Sequence, residues 1–108
     1  YLKQRHPEIK LICALPFPEQ GSGFSQKWRE RYNDIIARCD ERVAVCESYS
    51  KQSYIIRNKY MVDRSQRVIA VFNGTAGGTA NTISYAKAKE REIIIINPDS
   101  LTERQSLV

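Results

Sequence analysis

Arg67-Val-Ile-Ala-Val-Phe-Asn-Gly-Thr-Ala-Gly-Gly-Thr79 is the segment whose pattern indicates the fold most clearly. Its first six residues are almost all apolar and rich in β-branched side chains, which predicts a buried strand of a parallel sheet. Three glycines then fall within five residues, and a helix of small residues is predicted from about residue 78 to residue 90. A strand, a glycine-rich turn and a helix in this order predict the repeating unit of an α/β fold.

The rest of the chain repeats this alternation. Apolar runs predict three more strands, at 10–15, 42–47 and 92–97, and apolar residues at helical spacing predict helices at about 25–39 and 51–64. Trp28 and Tyr32 are predicted core anchors of the first of these helices. Strands of this kind, separated by helices, favour parallel pairing with right-handed crossovers and helices on both faces of the sheet. The predicted fold is a Rossmann-like three-layer α/β sandwich with a mostly parallel sheet.

The length of the chain, 108 residues, is enough for one small hydrophobic core. We therefore predict a single domain over residues 1–98, followed by a polar C-terminal tail over residues 99–108. Residues 2–7 resemble the end of a helix rather than the start of a domain, so we expect the protein to begin upstream of Tyr1.

Composition limits the classes of function. Lys and Arg exceed Asp and Glu by 17 to 12, but the basic residues are scattered, so nucleic-acid binding is possible and only weakly supported. Three cysteines, two of them in apolar segments, favour a reduced compartment over a disulfide framework. A single histidine, His6, predicts no metal site. No apolar run approaches the roughly 20 residues that span a bilayer, and we expect a cytoplasmic protein with no membrane association and no cofactor.

The glycine-rich turn predicts an anion site. It follows a parallel strand, and open α/β folds bind ligands at the carboxyl edge of the sheet. Gly74, Gly77 and Gly78 allow positive φ and close approach of a ligand, while the next helix directs unpaired N–H groups to the same place. Thr75 and Thr79 add hydroxyl donors for phosphate oxygens. The spacing is neither GxGxxG nor GxxxxGK[ST], and the alternative is a turn that needs glycine for packing alone.

Three more residues are predicted at the same edge of the sheet. Phe17 follows the first strand and could stack on a base, or it could belong to a hydrophobic lid. Arg57 suits phosphate or carboxylate, and Asn58 suits a ribose or a base edge. Arg57 could instead pair with an acid on a solvated face. Asp63 is expected to cap its helix or to pair with Arg64 or Arg67. No nucleophile is paired with a base as in a hydrolase triad, so no catalytic residue is predicted.

Three segments together resemble a known family: Arg57-Asn-Lys-Tyr-Met-Val-Asp63, the strand and turn at 67–79, and Ile83-Ser-Tyr-Ala86. They are similar to the YpsA-like branch of the SLOG superfamily, which also includes the DNA-processing protein A domain and the LOG-type phosphoribohydrolases. The resemblance covers nearly the whole chain between residues 10 and 98. It implies a Rossmann-like fold that senses or processes nucleotide-derived molecules, with the glycine turn and the pair Arg57 and Asn58 lining the pocket.

The chain departs from the family pattern in two places. Such proteins usually open with a strand that carries a TG-x-R-like turn, and nothing before Lys10 resembles it, so we expect the first strand to be missing from this chain. LOG-type enzymes carry PGG-x-GT-x-x-E, and Thr82 stands here at the position of the glutamate. Both departures bear on the pocket, and the second counts against phosphoribohydrolase activity.

The leading hypothesis is a sensor or regulatory module that binds a nucleotide or nucleotide-derived ligand, with the phosphate on residues 74–79. One alternative is an enzyme of the phosphoribohydrolase type, hydrolysing the N-glycosidic bond of nucleoside monophosphates. Another is a DNA-associated or cell-division interaction protein. A sheet of this type with an exposed edge could also form a homo-oligomer.

Overall fold

The computed structural model describes residues 1–100 and the backbone of residues 102–106. Contacts between residues divide the chain into two compact units, Tyr1–Arg57 and Asn58–Val108. Helices alternate with short strands, and two pairs of strands are parallel. The predicted α/β fold with parallel strands, consistent with a Rossmann-like arrangement, is confirmed. A single domain over residues 1–98 stays a prediction.

The first unit contains a two-stranded parallel sheet. Its elements, in chain order, are α1 (Leu2–Arg5), β1 (Ile12–Leu15), a 3-10 helix (Gln20–Gly23), α2 (Gln26–Arg38), β2 (Glu41–Ala44) and the beginning of α3 (Ser53–Asp63). In the ladder, Ile12 lies opposite Glu41 and Leu15 lies opposite Ala44. Helix α2 connects the two strands, as a parallel pair requires a crossover.

The second unit contains a three-stranded sheet in the order β3-β4-β5. After the end of α3 its elements are β3 (Arg67–Val71), α4 (Gly78–Ala88), β4 (Glu92–Asn97) and β5 (Thr102–Ser106). Strands β3 and β4 are parallel, and β5 is antiparallel to β4. The predicted polar tail thus contains a strand.

The core of the second unit lies between its sheet and two helices. The buried residues come from α3, β3, α4 and β4 and comprise Val62, Ala70, Ile83, Ala86, Ile93 and Ile95. Ala86 is fully buried, and its small side chain permits close approach of α4 to the sheet. On β3, in contrast, Ile69 and Val71 are 64% and 62% exposed. The expectation that the strands are buried on both faces is therefore wrong for β3.

Helix α2 packs through a narrower face than its periodicity predicts. Trp28 is 56% exposed, so its predicted role as a core anchor is wrong. Tyr32 is half-buried, and its ring lies edge-to-face against Phe24, with 5.4 Å between the ring centroids. A Cβ atom on Gly21 would lie 2.7 Å from Cδ1 of Tyr32, so the 3-10 helix needs glycine there to accept the tyrosine ring.

Candidate ligand-binding site

The turn between β3 and α4 has the backbone shape that its glycines predict. Gly74 has φ 98° and Gly77 has φ 147°, values in the left-handed region that favours glycine. The side-chain oxygen of Asn73 accepts hydrogen bonds from the backbone N–H of Thr75 (3.1 Å) and from its hydroxyl (2.8 Å). This Asx-type arrangement fixes the first half of the turn. The hydroxyl proton of Thr75, predicted as a phosphate donor, is directed to Asn73.

The start of α4 has the open amides that an anion site requires. The first hydrogen bond of the helix runs from the N–H of Asn81 to the carbonyl of Gly77 (3.1 Å), so the amides of Gly78, Thr79 and Ala80 have no acceptor within the helix. The N-cap residue is Gly77, which has no side chain that could accept hydrogen bonds from these amides. A Cβ atom on Gly74, Gly77 or Gly78 would meet no described heavy atom within 4 Å. Residues 74–79 are exposed, and the mouth of the helix is open.

Thr82 lies one turn into α4, at the position where LOG-type enzymes have glutamate. Its hydroxyl donates a hydrogen bond to the carbonyl of Gly78 (2.9 Å). This i to i−4 bond turns the side chain back along the helix. The position therefore holds no carboxylate that could act as a general acid or base.

A cavity of about 370 Å³ lies within the second unit, along β3. It is lined by all five residues of β3, by residues of α3 that include Asn58 and Met61, and by Thr79, Thr82 and Ile83 of α4. Its volume is in the range of small-molecule pockets, roughly 300–1,000 Å³. Two of the predicted ligand residues, Asn58 and Thr79, line this one cavity. The glycines of the turn and Thr75 are not among its lining residues.

Phe17 belongs to the first unit and is only 9% exposed. Its ring packs edge-to-face against Tyr49 and Tyr54, with centroid distances of 5.5 and 5.9 Å. A buried ring between two others matches the packing interpretation of Phe17 better than direct stacking on a base. The sequence analysis does not predict Tyr49 and Tyr54 as partners of Phe17. The signal that could have identified them is their position on either side of the start of a helix that follows a strand.

Arg57 is partly buried in the same unit. Its Nη1 donates a hydrogen bond to the carbonyl of Ala14 in β1 (3.3 Å), and its guanidinium carbon lies 5.7 Å from the centroid of the Tyr54 ring. Burial lowers the pKa of the guanidinium from its ordinary value, while the neighbouring Tyr54 opposes this shift. Arginine remains cationic at neutral pH all the same. The residue joins α3 to β1 and is in contact with an aromatic ring.

Asp63, the last residue of α3, has a different partner from those predicted. Its Oδ1 accepts a hydrogen bond of 2.7 Å from the hydroxyl of Tyr85, and its carbonyl accepts one from Arg91 (3.2 Å). The predicted pairing of Asp63 with Arg64 or Arg67 is not among its described contacts. The structure instead joins the first and third of the segments that carry the family resemblance.

The residues that the structure describes include neither a metal-binding cluster nor a membrane-spanning helix. Among those residues, no group of three or more His, Cys, Asp or Glu side chains is arranged to hold a metal ion. The longest helix among them, α2, has 13 residues, and none is both long and apolar enough to cross a bilayer.

Comparison with known proteins gives the family. The sequence model of the YpsA family, described as the YspA SLOG family, matches residues 1–101. The uncharacterised SPbeta prophage-derived protein YoqJ of Bacillus subtilis strain 168 is 35% identical over 98 residues, which cover 80% of this chain and 57% of that protein. A UPF0398 protein of Bacillus thuringiensis strain Al Hakam is 26% identical over 94 residues, which cover 85% of this chain and 51% of that protein. The chain thus spans little more than half the length of these relatives, and it belongs to the YpsA family of SLOG proteins.

Proposed function

We propose that this chain binds a nucleotide or a nucleotide-derived molecule, with a phosphate group held by the backbone amides of residues 74–79, and that it acts as a sensor or regulatory module. The observation that carries the proposal is the open start of α4. Three amides there have no acceptor in the helix, and a Cβ atom at the neighbouring glycines would meet no heavy atom of the described residues within 4 Å. Membership of the SLOG family favours a nucleotide-related ligand.

The phosphate contact alone accounts for only part of the affinity. A charge at a helix N-terminus contributes about 0.3–1 kcal/mol when exposed, and residues 74–79 are exposed. Useful binding therefore needs contacts to other parts of the ligand. The cavity that Asn58 and Thr79 line has an amide, hydroxyl groups and apolar side chains for this purpose. This favours a nucleotide over inorganic phosphate.

The side chain at position 82 favours binding over turnover. N-glycosidic hydrolysis needs a group that protonates the leaving base or activates water. Thr82 has no carboxylate and its hydroxyl is bonded to Gly78. The contact of Arg57 with the phosphate or the ribose of the ligand stays a prediction.

The test is titration calorimetry of the 108-residue chain with AMP, GMP, ADP-ribose and inorganic phosphate. Gly78→Val is the informative variant, because Gly78 has no positive φ and a Cβ there meets open space, so the fold should tolerate it. The added methyl groups would cover the amides. Gly23→Val is the matched control, since Gly23 has the same freedom in the other unit.

We expect at least one nucleotide to bind and Gly78→Val to weaken it tenfold or more, while Gly23→Val leaves the affinity unchanged. Wild-type affinity in Gly78→Val would show that the turn is not the phosphate site. Chromatography of the same mixtures gives the second readout. Release of free base from the monophosphates would instead support the enzyme of the phosphoribohydrolase type.

A further inference from the structure

A group of aromatic side chains lies at the carboxyl end of the sheet in the first unit. Phe17 is two residues beyond the end of β1, and Tyr49 is in the loop that follows β2. Because β1 and β2 are parallel, the segments that follow them leave the sheet at the same edge. The carboxyl edge of parallel strands is where α/β folds most often bind ligands.

The three rings of this group differ in exposure. Phe17 is buried, whereas Tyr49 is 65% and Tyr54 is 40% exposed. Both tyrosines pack edge-to-face against Phe17 at centroid distances under 6 Å. Phe17 therefore supports two neighbouring tyrosines that present aromatic surface to solvent. We refer to Phe17, Tyr49 and Tyr54 as the aromatic cradle.

The loop and helix that carry the two tyrosines are joined to each other. The hydroxyl of Ser53, a fully buried residue at the start of α3, donates to the carbonyl of Ser50 (2.8 Å), and the backbone N–H of Ser53 reaches the same carbonyl (3.2 Å). On the other side, Arg57 lies over the Tyr54 ring and bonds to the carbonyl of Ala14. The cradle is therefore held in place before any ligand arrives.

We propose that the aromatic cradle binds the base of a nucleoside, with Tyr49 and Tyr54 as the stacking residues and Arg57 as the positioning residue for Tyr54. Planar heteroaromatic bases stack on tyrosine rings with little dependence on which base is present. The positive charge of the guanidinium beside the rings suits the electron-rich carbonyl and ring-nitrogen atoms of a base. The inference goes beyond the phosphate proposal and is independent of it, because a nucleoside has no phosphate.

Saturation-transfer NMR and titration calorimetry with adenosine, guanosine, cytidine and uridine test the cradle in the intact chain. Tyr49→Ala and Tyr54→Ala each remove one ring, and both side chains are exposed enough for the fold to tolerate the change, which circular dichroism verifies. Binding of the preferred nucleoside should weaken about 5- to 150-fold in each, the factor that corresponds to losing one base–aromatic stack. Tyr49→Phe keeps the ring and should bind like the wild type.

Tyr1→Ala is the matched control, because Tyr1 is an exposed tyrosine outside the cradle. It should leave nucleoside binding unchanged. Three results overturn the inference: no nucleoside binds at millimolar concentration, either alanine variant binds like the wild type, or Tyr49→Phe loses as much affinity as Tyr49→Ala. A nucleotide that binds through the turn in any of these cases leaves the phosphate proposal standing.

Discussion

The hydroxyl of Tyr85 in α4 donates a hydrogen bond of 2.7 Å to Oδ1 of Asp63, the last residue of α3. Two bonds from Arg91 to the carbonyls of Val62 (3.1 Å) and Asp63 (3.2 Å) hold the same end of α3. The ammonium groups of Lys59 and Lys89 lie 5.2 and 5.5 Å from the centroid of the Tyr85 ring. These contacts give the segments shared with the family a structural role, which is to join α3 and α4.

Removing this hydroxyl should weaken the second unit slightly. In Tyr85→Phe the carboxylate of Asp63 loses its donor, but water can replace it at this exposed position, so the free energy of unfolding should fall by less than in Ile93→Ala. Urea unfolding at neutral pH measures the difference. Stability equal to that of the wild type would show that the bond contributes nothing, and a loss as large as in Ile93→Ala would show that it is buried in solution.

Two tyrosine hydroxyls should ionise at higher pH than usual. The hydrogen bond to Asp63 raises the pKa of Tyr85, and burial followed by the charge of Cys13 raises the pKa of Tyr32. Both should ionise above the ordinary pKa of tyrosine when tyrosinate absorbance is followed with pH. Tyr85→Phe should remove one late component. A wild-type curve with no component above the ordinary pKa of tyrosine would contradict the assignment.

The same shift fixes the sign of a pH effect on stability. Because the folded-state pKa of Tyr85 is above its ordinary value of about 10, the folded state favours the protonated hydroxyl. The stabilising contribution is complete below that ordinary value and is lost as the pH rises through the folded-state pKa. The stability difference between the wild type and Tyr85→Phe should therefore stay constant from neutral pH to about pH 9. It should shrink at more alkaline pH.

Two isoleucines on neighbouring strands should differ widely in their contribution to stability. Ile93 of β4 is fully buried, so Ile93→Ala should lower the free energy of unfolding by about 2–5 kcal/mol and Ile93→Val by about 0.5–1.5 kcal/mol. Ile69 of β3 is mostly exposed, and Ile69→Ala should change it by less than about 0.5 kcal/mol. Urea unfolding of the three variants checks this. A large loss in Ile69→Ala would show that its face of β3 is covered in solution.

Two glycines of the 3-10 helix, two positions apart, should also respond differently to substitution. Gly21→Ala places a methyl group against the Tyr32 ring and should lower the free energy of unfolding by about 1–3 kcal/mol. Gly23→Ala meets open space and should leave stability unchanged or slightly raised, because alanine restricts the unfolded chain. Thermal unfolding compares them, and equal melting temperatures would contradict the packing of Tyr32 on the 3-10 helix.

Most of the elements could be predicted because their apolar residues recur at regular spacing. The strand predicted at 92–97 coincides with β4, and the strand at 67–72 exceeds β3 by one residue. Strand β5 could not be found in this way. Its sequence, Thr-Glu-Arg-Gln-Ser, has no apolar residue, and what identifies it is backbone pairing with β4.

Side-chain partners were harder to predict than elements. Periodicity places Trp28 on the packed face of α2 together with Tyr32. The face of α2 that packs against other residues is narrower than this and leaves Trp28 exposed. The partner of Asp63 is 22 residues away, and only the tertiary structure brings Tyr85 to it. The positive φ of Gly74 and Gly77, in contrast, followed from glycine chemistry at the end of a strand.

The hydrogen bonds that Thr75 donates to Asn73 and the two left-handed glycines shape the turn after β3 with the chain's own atoms. Nothing in that geometry has to be assembled by a binding partner. If an anion binds the first amides of α4 as we propose, it meets donors that are already oriented, so the entropy of arranging them is lost during folding and not on binding. We would then expect association to be governed by diffusion and solvent displacement rather than by a slow rearrangement of the loop.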